Sequence, residues 1–209
     1  MSDDGSRENL PRWRQRREPT EADSKNLAQV VRIPKRYINA DLLNDFPHLD
    51  FGKECSYYFH GGPGTGKTHA LCAMIRERAL SRFDRRECLF ITVDDMLSEL
   101  RSRYDKSGRV FIGDDELEEE ARADAYTTRL KDIDILALDD LGAERSTEWA
   151  LGELYSIINH RYNELKITYI SSNLDLGLLS AGFHQRIASR IAQTYEIINL
   201  TGNDRRLRR

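Results

Sequence analysis

No apolar run in this chain approaches the roughly 20 residues that a membrane span needs, and its first residues, MSDDGSREN, lack the basic-then-apolar pattern of a secretory leader. A membrane partner is therefore not expected, and the cytosol is the expected compartment. Cysteine is scarce: Cys55, Cys72 and Cys88 are too few and too scattered for a zinc set or a closed disulfide framework, so they read as reduced packing thiols. The five histidines have no ligand spacing, which argues against a transition metal. With a formal net charge of −3 the chain is not basic overall, although local basic patches remain open to it. No internal repeat is visible. What is present, 39% hydrophobic and 32% charged residues over 209 positions, describes one globular domain with room for a short appendage.

The most informative stretch follows the aromatic run Tyr57, Tyr58, Phe59. Gly61, Gly62, Pro63, Gly64, Thr65, Gly66, Lys67 and Thr68 spell a complete P-loop, and His69 follows it. Gly61 and Gly66 stand at the ends because a backbone without Cβ curls tightly enough to aim successive N–H groups at one phosphate. Lys67 then reaches the β- and γ-phosphates, Thr68 places its hydroxyl on Mg²⁺, and the helix that opens there turns its positive end to the anion. ATP and Mg²⁺ are the expected ligands. A plain glycine turn would not require Lys-Thr directly after it, nor a hydrophobic strand before and an apolar-periodic helix after.

Residues 1–30 form a charged segment expected to be poorly ordered or only partly helical, and residues 31–209 the folded domain. Within the first segment, Arg12, Trp13, Arg14, Arg16 and Arg17 could stack on a base, touch phosphates or dock on a protein, or could be a solvated tail. Ile33 and Tyr37 either wall a base or pack in the core. Strands are expected at Cys88–Val93, Ile133–Leu138, Ile167–Ser171 and Glu196–Leu200, besides the one before the P-loop. Asp94 or Asp95 is expected to cap the helix carrying Met96, Leu97 and Leu100, and Ser146 or Thr147 the next long helix. Ser102–Gly113 reads as an inserted loop, followed by a helix from Glu116 to about Lys131 whose acidic face is solvated. Leu178–Thr194 reads as one helical stretch.

Apolar strands separated by helix-length segments predict an α/β fold with a mainly parallel sheet, helices on both faces, and a ligand at the strands' carboxyl ends. The motifs fall on that edge. Asp139 closes Ile-Leu-Ala-Leu in the position of a Walker B carboxylate that holds Mg²⁺, and Asp140 is the candidate to polarise an attacking water; a helix cap is the alternative for the pair. Asn173 ends the fourth strand as a polar sensor of the γ-phosphate or as a turn residue. Five strands of this kind fit the additional-strand P-loop class, order 5-1-4-3-2, better than simple kinases or GTPases.

Taken together, IPKRY (Ile33–Tyr37), GGPGTGKTH (Gly61–His69), LALDDLGAE (Leu136–Glu144), LYSIINHRY (Leu154–Tyr162), SSNLDL (Ser171–Leu176), QRIASRI (Gln185–Ile191) and GNDRR (Gly202–Arg206) resemble the AAA+ ATPases of the DnaC/DnaI helicase-loader group, close to the IstB transposition helpers. The P-loop is generic; the ordered set is specific. The resemblance implies that Arg190 is the arginine finger donated to a neighbour's γ-phosphate, with Arg186 as rival, or else that the two form an i,i+4 pair on a solvated face. It implies that Arg206 acts as a sensor-2-like nucleotide contact, with Arg205 offering a second register. It also implies ATP hydrolysis, an ATP-dependent homo-oligomer, and a replicative helicase and single-stranded DNA as partners, with Arg103, Tyr104, Lys106, Arg109 and Phe111 as DNA contacts. An IstB-like helper would instead bind duplex DNA and a transposase, and a nucleotide-gated adaptor would scarcely hydrolyse. The sequence departs from general AAA+ proteins in having Asp-Asp where most have Asp-Glu, which the loader group shares. No sizeable lid domain is expected.

Overall fold

In the computed structural model the described residues are 19–47, 53–81, 87–107, 125–144, 147–182 and 184–202. Five strands, β1 (Ser56–His60), β2 (Cys88–Thr92), β3 (Ile135–Leu141), β4 (Ile167–Ser172) and β5 (Tyr195–Asn199), form one parallel sheet in the order β2-β3-β4-β1-β5. This is the expected 5-1-4-3-2 order read from the other edge. Around the sheet lie α1 (Glu21–Gln29), a 3₁₀ turn (Lys35–Tyr37), α2 (Leu42–Asp45), α3 (Lys67–Ala79), α4 (Val93–Ser107), α5 (125–132), α6 (Glu148–Asn163), α7 (Leu176–Ala181) and α8 (Gln185–Thr194).

The strands read as unbroken apolar runs because both faces are covered, and the pleat divides their side chains between two cores. Tyr57, Phe59, Cys88, Phe90, Ile135, Ala137 and Tyr169 face one core, which α3 closes with Ala70 to Ile75 and which also takes Leu27 of α1, Ile33, Leu42 and Phe46. Tyr58, Leu89, Ile91, Leu136, Leu138 and Ile170 face the other, closed by α4, α6 and α8 through Leu100, Leu154, Ile158, Ile187 and Ile191. Ile33 therefore packs in the core. On the outer edge, the Phe90 amide of β2 donates to the Val31 carbonyl at 2.7 Å, so the segment after α1 covers part of an otherwise open edge.

Arg161 is a fully buried cation. Its guanidinium lies at 0% exposure on the face of α6 that meets the sheet. Nη1 donates to the carbonyls of Leu130, Lys131 and Ile133 at 3.1, 3.1 and 2.7 Å, and Nη2 to those of Asp134 and Ile167 at 3.3 and 2.6 Å. Nε donates to the Thr168 hydroxyl at 2.9 Å. One side chain thus ties the end of α5, where carbonyls lack helical partners, to the starts of β3 and β4. Burial pulls its pKa down to about 10, which leaves it charged at neutral pH.

Several expected boundaries move. Helix α4 runs through Ser107, so Ser102–Ser107 is helix rather than inserted loop; the rest of that stretch and 116–124 lie outside the described residues. The cap of α4 is Thr92, not Asp94 or Asp95: its hydroxyl accepts from the Asp95 amide at 3.0 Å and donates to the Asp95 carboxylate at 2.7 Å. Leu178–Thr194 is two helices, because Gly182 leaves α7 in an extended conformation (ψ −158°) and the chain restarts at α8. Strand β3 extends to Leu141, which takes both Asp139 and Asp140 into the sheet edge. At the amino end, α1 is helical from Glu21 behind a Thr20/Asp23 capping box; the Arg/Trp segment at residues 12–17 lies outside the described residues.

Candidate nucleotide site

Strand β1 delivers the chain to Gly61 at the carboxyl edge of the sheet. Gly61 has φ +148°, and a Cβ there would stand 2.2 Å from the Leu200 carbonyl oxygen, while the Leu200 amide donates to the His60 carbonyl at 2.8 Å. The turn leaving β5 is thus pressed against the start of the loop, and only glycine fits. Gly64 and Gly66 also take positive φ, +73° and +102°, and Gly66 caps α3 without any side-chain acceptor. The first amides of a 13-residue helix are left for an anion at that point. Pro63 shapes the outer rim, and the Thr65 hydroxyl donates to the Gly62 carbonyl at 2.9 Å.

Lys67 is buried, and its ammonium donates to the carbonyls of Gly61 and Gly62 at 2.9 and 2.7 Å. Its charge therefore lies inside the curl of the loop. The neighbouring Thr68 hydroxyl donates to Asp139 Oδ1 at 3.1 Å, and the Ser171 hydroxyl of β4 makes a short bond to the same oxygen. Asp139 is only 3% exposed; burial, with a smaller push from the Asp140 charge, drives its pKa up to about 6 against the bonds from Ser171 and Thr68.

Asp140 points elsewhere because the strand breaks its register there. The pairing of β3 with β4 shifts between Leu138 and Leu141, and Asp140 takes φ +60°, an uncommon conformation for a residue with a Cβ. Its amide donates to the Ser171 hydroxyl at 3.0 Å. The bulge turns Asp139 inward to Thr68 and Asp140 outward into an open cleft of about 450 Å³, which Lys67, Thr68 and Asn173 also line. Ser171, bonded to both aspartates, holds the two orientations apart; the SSN string contains it, but nothing in its spacing marks it as more than a strand residue.

The far wall of the cleft comes from the lead-in. Tyr37, half-buried, and Arg36 line it, as does His69. His69 Nε2 bonds to Asp45 Oδ2 at 2.7 Å, and its ring meets Tyr37 and Phe46 at centroid distances of 5.7 and 5.6 Å. His69 thus belongs to the wall rather than to the phosphate cradle. A larger hollow of about 900 Å³ lies on the outer side of β2 among Arg32, Phe90, Glu99 and Arg103, and none of Gly61–Thr68, Asp139, Asp140 or Asn173 lines it.

The two α8 arginines lie apart from this cleft. Arg190 stacks over Tyr155 at 4.7 Å and donates through Nε to Asn159 Oδ1 (2.6 Å), through Nη2 to the Tyr155 hydroxyl (2.7 Å) and through Nη1 to the Arg186 carbonyl (3.0 Å). Arg186 is exposed and lies over the same ring at 5.6 Å. Of the DNA-contact set, Arg103 covers the Tyr126 ring at 4.4 Å and Tyr104 meets Trp149 edge-on at 6.3 Å. The Lys106 side chain and Arg109, Phe111, Arg205 and Arg206 lie outside the described residues.

A cradle of this kind, with a strand-end carboxylate hydrogen-bonded to its threonine, is what a nucleotide-binding family predicts, and the profile of the family described as IstB-like ATP binding protein matches residues 34–209. The chain belongs to that family. Among its relatives, the uncharacterized protein YdaV of Escherichia coli (strain K12) is 29% identical over 138 residues, 65% of this chain and 48% of YdaV. The replicative helicase loader DnaC of the same strain is 25% identical over 140 residues, 67% of this chain and 51% of DnaC. The chain spans about half the length of the curated relatives it matches. A crystal structure of the DnaC helicase loader superposes with a TM-score of 0.61 at 23% identity, covering 80% of this chain and 100% of that one, a likeness that carries the fold. The chain is thus a DnaC-like member of the AAA+ group, close to IstB. Among the described residues no helix is long and apolar enough to cross a membrane.

Proposed function

We propose that this protein binds Mg·ATP in the P-loop cleft, hydrolyses it at a boundary between copies of itself, and acts as a loader of a replicative helicase on single-stranded DNA. The observation that carries the nucleotide chemistry is the convergence of Lys67, the Thr68–Asp139 bond, Asp140 and Asn173 on one edge of the sheet. The donor set fits the ligand: curled main chain and Lys67 for the phosphates, Thr68 and Asp139 for Mg²⁺, which would neutralise charge on the β- and γ-phosphate oxygens. Among the described residues no group of three or more His, Cys, Asp or Glu gathers that could hold a metal ion.

In this reading Asp140, exposed in the cleft, accepts the proton of the attacking water, and Asn173 orients that water or the γ-phosphate. The arginine comes from α8 of the adjacent copy. Arg186 is the exposed member of the pair, and Arg190, with its guanidinium bonded to Tyr155, Asn159 and the Arg186 carbonyl, supports the helix that presents it. A cation meeting charge that develops only in the transition state can raise the rate by about 10³ to 10⁵.

The helicase enters from the relatives, of which DnaC is named a replicative helicase loader, and single-stranded DNA from the resemblance to the loader group. The family's description names IstB, which favours a second reading, an IstB-like helper; by the resemblance it would act with a transposase on duplex DNA. Capture of purified helicase or transposase by the ATP-loaded protein separates them. Phosphate release tests the enzyme itself: a wild type as slow as Asp140→Asn and Arg186→Ala, with and without DNA, would leave only a nucleotide-gated adaptor.

A further inference from the structure

The loop that leaves Asp140 is bonded to the start of the arginine helix through two side chains that no part of the ATP chemistry uses. Glu144 and His184 are almost wholly buried, at 1% and 5% side-chain exposure, and His184 Nε2 donates to Glu144 Oε1 at 2.6 Å. The other carboxylate oxygen, Oε2, accepts from the Gly142 amide at 2.7 Å. Burial works against the charge on Glu144, yet the bonds from His184 and from the Glu144 and Gly142 amides leave its carboxyl below the ordinary value.

Both ends of this pair are anchored. Gly142 has φ +86° and sits against Leu174, whose Cδ1 would be 2.8 Å from a Cβ at that position. The Leu174 amide donates to the Ser172 hydroxyl at 3.0 Å, and that hydroxyl donates to the Leu141 carbonyl at 2.7 Å. The loop behind Asp140 is thereby joined to the loop that carries Asn173. At the other end, the His184 carbonyl accepts from the Ala188 amide at 2.8 Å and so opens α8, two residues before Arg186. Ser, Thr, Asp or Asn would ordinarily stand at that cap position and bond back to the helix's own amides. His184 makes no such bond; its ring is committed to Glu144.

We propose that Glu144 and His184 are a positioning pair that fixes α8 against the strand-end loop, so that movement of Asp140 and Asn173 on one copy's nucleotide is delivered to the arginine it presents to the next copy. This rests on the nucleotide reading above. The pair touches neither cleft residue nor nucleotide; it acts through Arg186. Discrete arrangements pass through such contacts because both ends are packed and hydrogen-bonded.

The test compares wild type, His184→Leu, which loses the donor, and His184→Gln, whose amide keeps one. Hydrogen exchange is followed at the P-loop and at α8 with and without ATP, alongside nucleotide affinity and turnover. In wild type, ATP should slow exchange at both places. In His184→Leu it should slow only the P-loop, with affinity within about 3-fold of wild type and turnover down about 10- to 100-fold, and His184→Gln should recover most of that loss. Mixing His184→Leu with Asp140→Asn, which holds ATP without turning it over and keeps an unaltered α8, should restore turnover by presenting sound arginines to sound nucleotide sites. Protection of the P-loop without any response of α8 in wild type would overturn the coupling while leaving ATP binding intact. So would wild-type turnover in His184→Leu, an affinity loss in step with its turnover, or a mixture that shows no recovery. Absence of protection at the P-loop itself would defeat the nucleotide reading, and this pair with it.

Discussion

Thr68 Oγ1 stands 3.1 Å from Asp139 Oδ1, with the helix that follows the P-loop donating to a carboxylate near the end of β3. These residues are 71 positions apart, and the parallel sheet is what brings them together: β3 and β1 both flank β4, so their carboxyl ends open on the same edge. The hydroxyl proton directed at Asp139 also tempers a charge held where water hardly reaches.

That burial predicts a pH dependence of known sign. The Asp139 carboxyl has a folded-state pKa of about 6 against an ordinary 3.8, so the folded protein holds this proton more tightly than the unfolded chain does. The resulting stability is fully present below pH 3.8 and is lost as pH rises through about 6, an effect of about 3 kcal/mol at most. In chelator and without nucleotide, Asp139→Asn should therefore match wild type near pH 4 and become more stable than it above pH 6. Urea midpoints across that range check it; a stability difference independent of pH would refute it.

Lys67→Ala should weaken ATP binding at least 100-fold while leaving the thermal midpoint within a few degrees. Its ammonium bonds to the loop carbonyls of Gly61 and Gly62, which water can reach once the side chain is gone, whereas the phosphates lose a buried cation. Titration calorimetry reads this directly. Retention of wild-type affinity would mean that the phosphates lie elsewhere.

Arg161→Met should cost about 3–5 kcal/mol, because it keeps the stem but leaves five carbonyls at the ends of α5, β3 and β4 without their donor. Chemical denaturation measures the loss. A change below about 1 kcal/mol would show that water or a shifted backbone satisfies those groups as well.

The strand order, the P-loop and the Asp139/Asp140 pair were legible because each rests on local rules: apolar runs, glycines at fixed intervals, and charges directly after a strand. Other features depend on contacts between distant residues. Nothing near Asp140 announces the bulge that gives it φ +60° and turns it away from Asp139, since that shift arises from pairing with β4. The capping of α4 by Thr92 rather than by an aspartate was within reach, because Thr-x-x-Asp is a reciprocal pattern, but two acidic residues in the first turn are equally good dipole partners. The break at Gly182 was hidden by apolar residues that continue on both sides of it. Nothing in the spacing of Arg161, Glu144 or His184 marks them as buried; only the fold shows it.

The most direct test is steady-state phosphate release by Asp140→Asn at an ATP concentration that saturates both it and the wild type. An amide in place of the carboxylate keeps the size of the side chain and the bulge, but cannot take a proton from water. Equal nucleotide occupancy is expected, with release at least 100-fold slower than wild type. Equal release by the two proteins at full occupancy would contradict it.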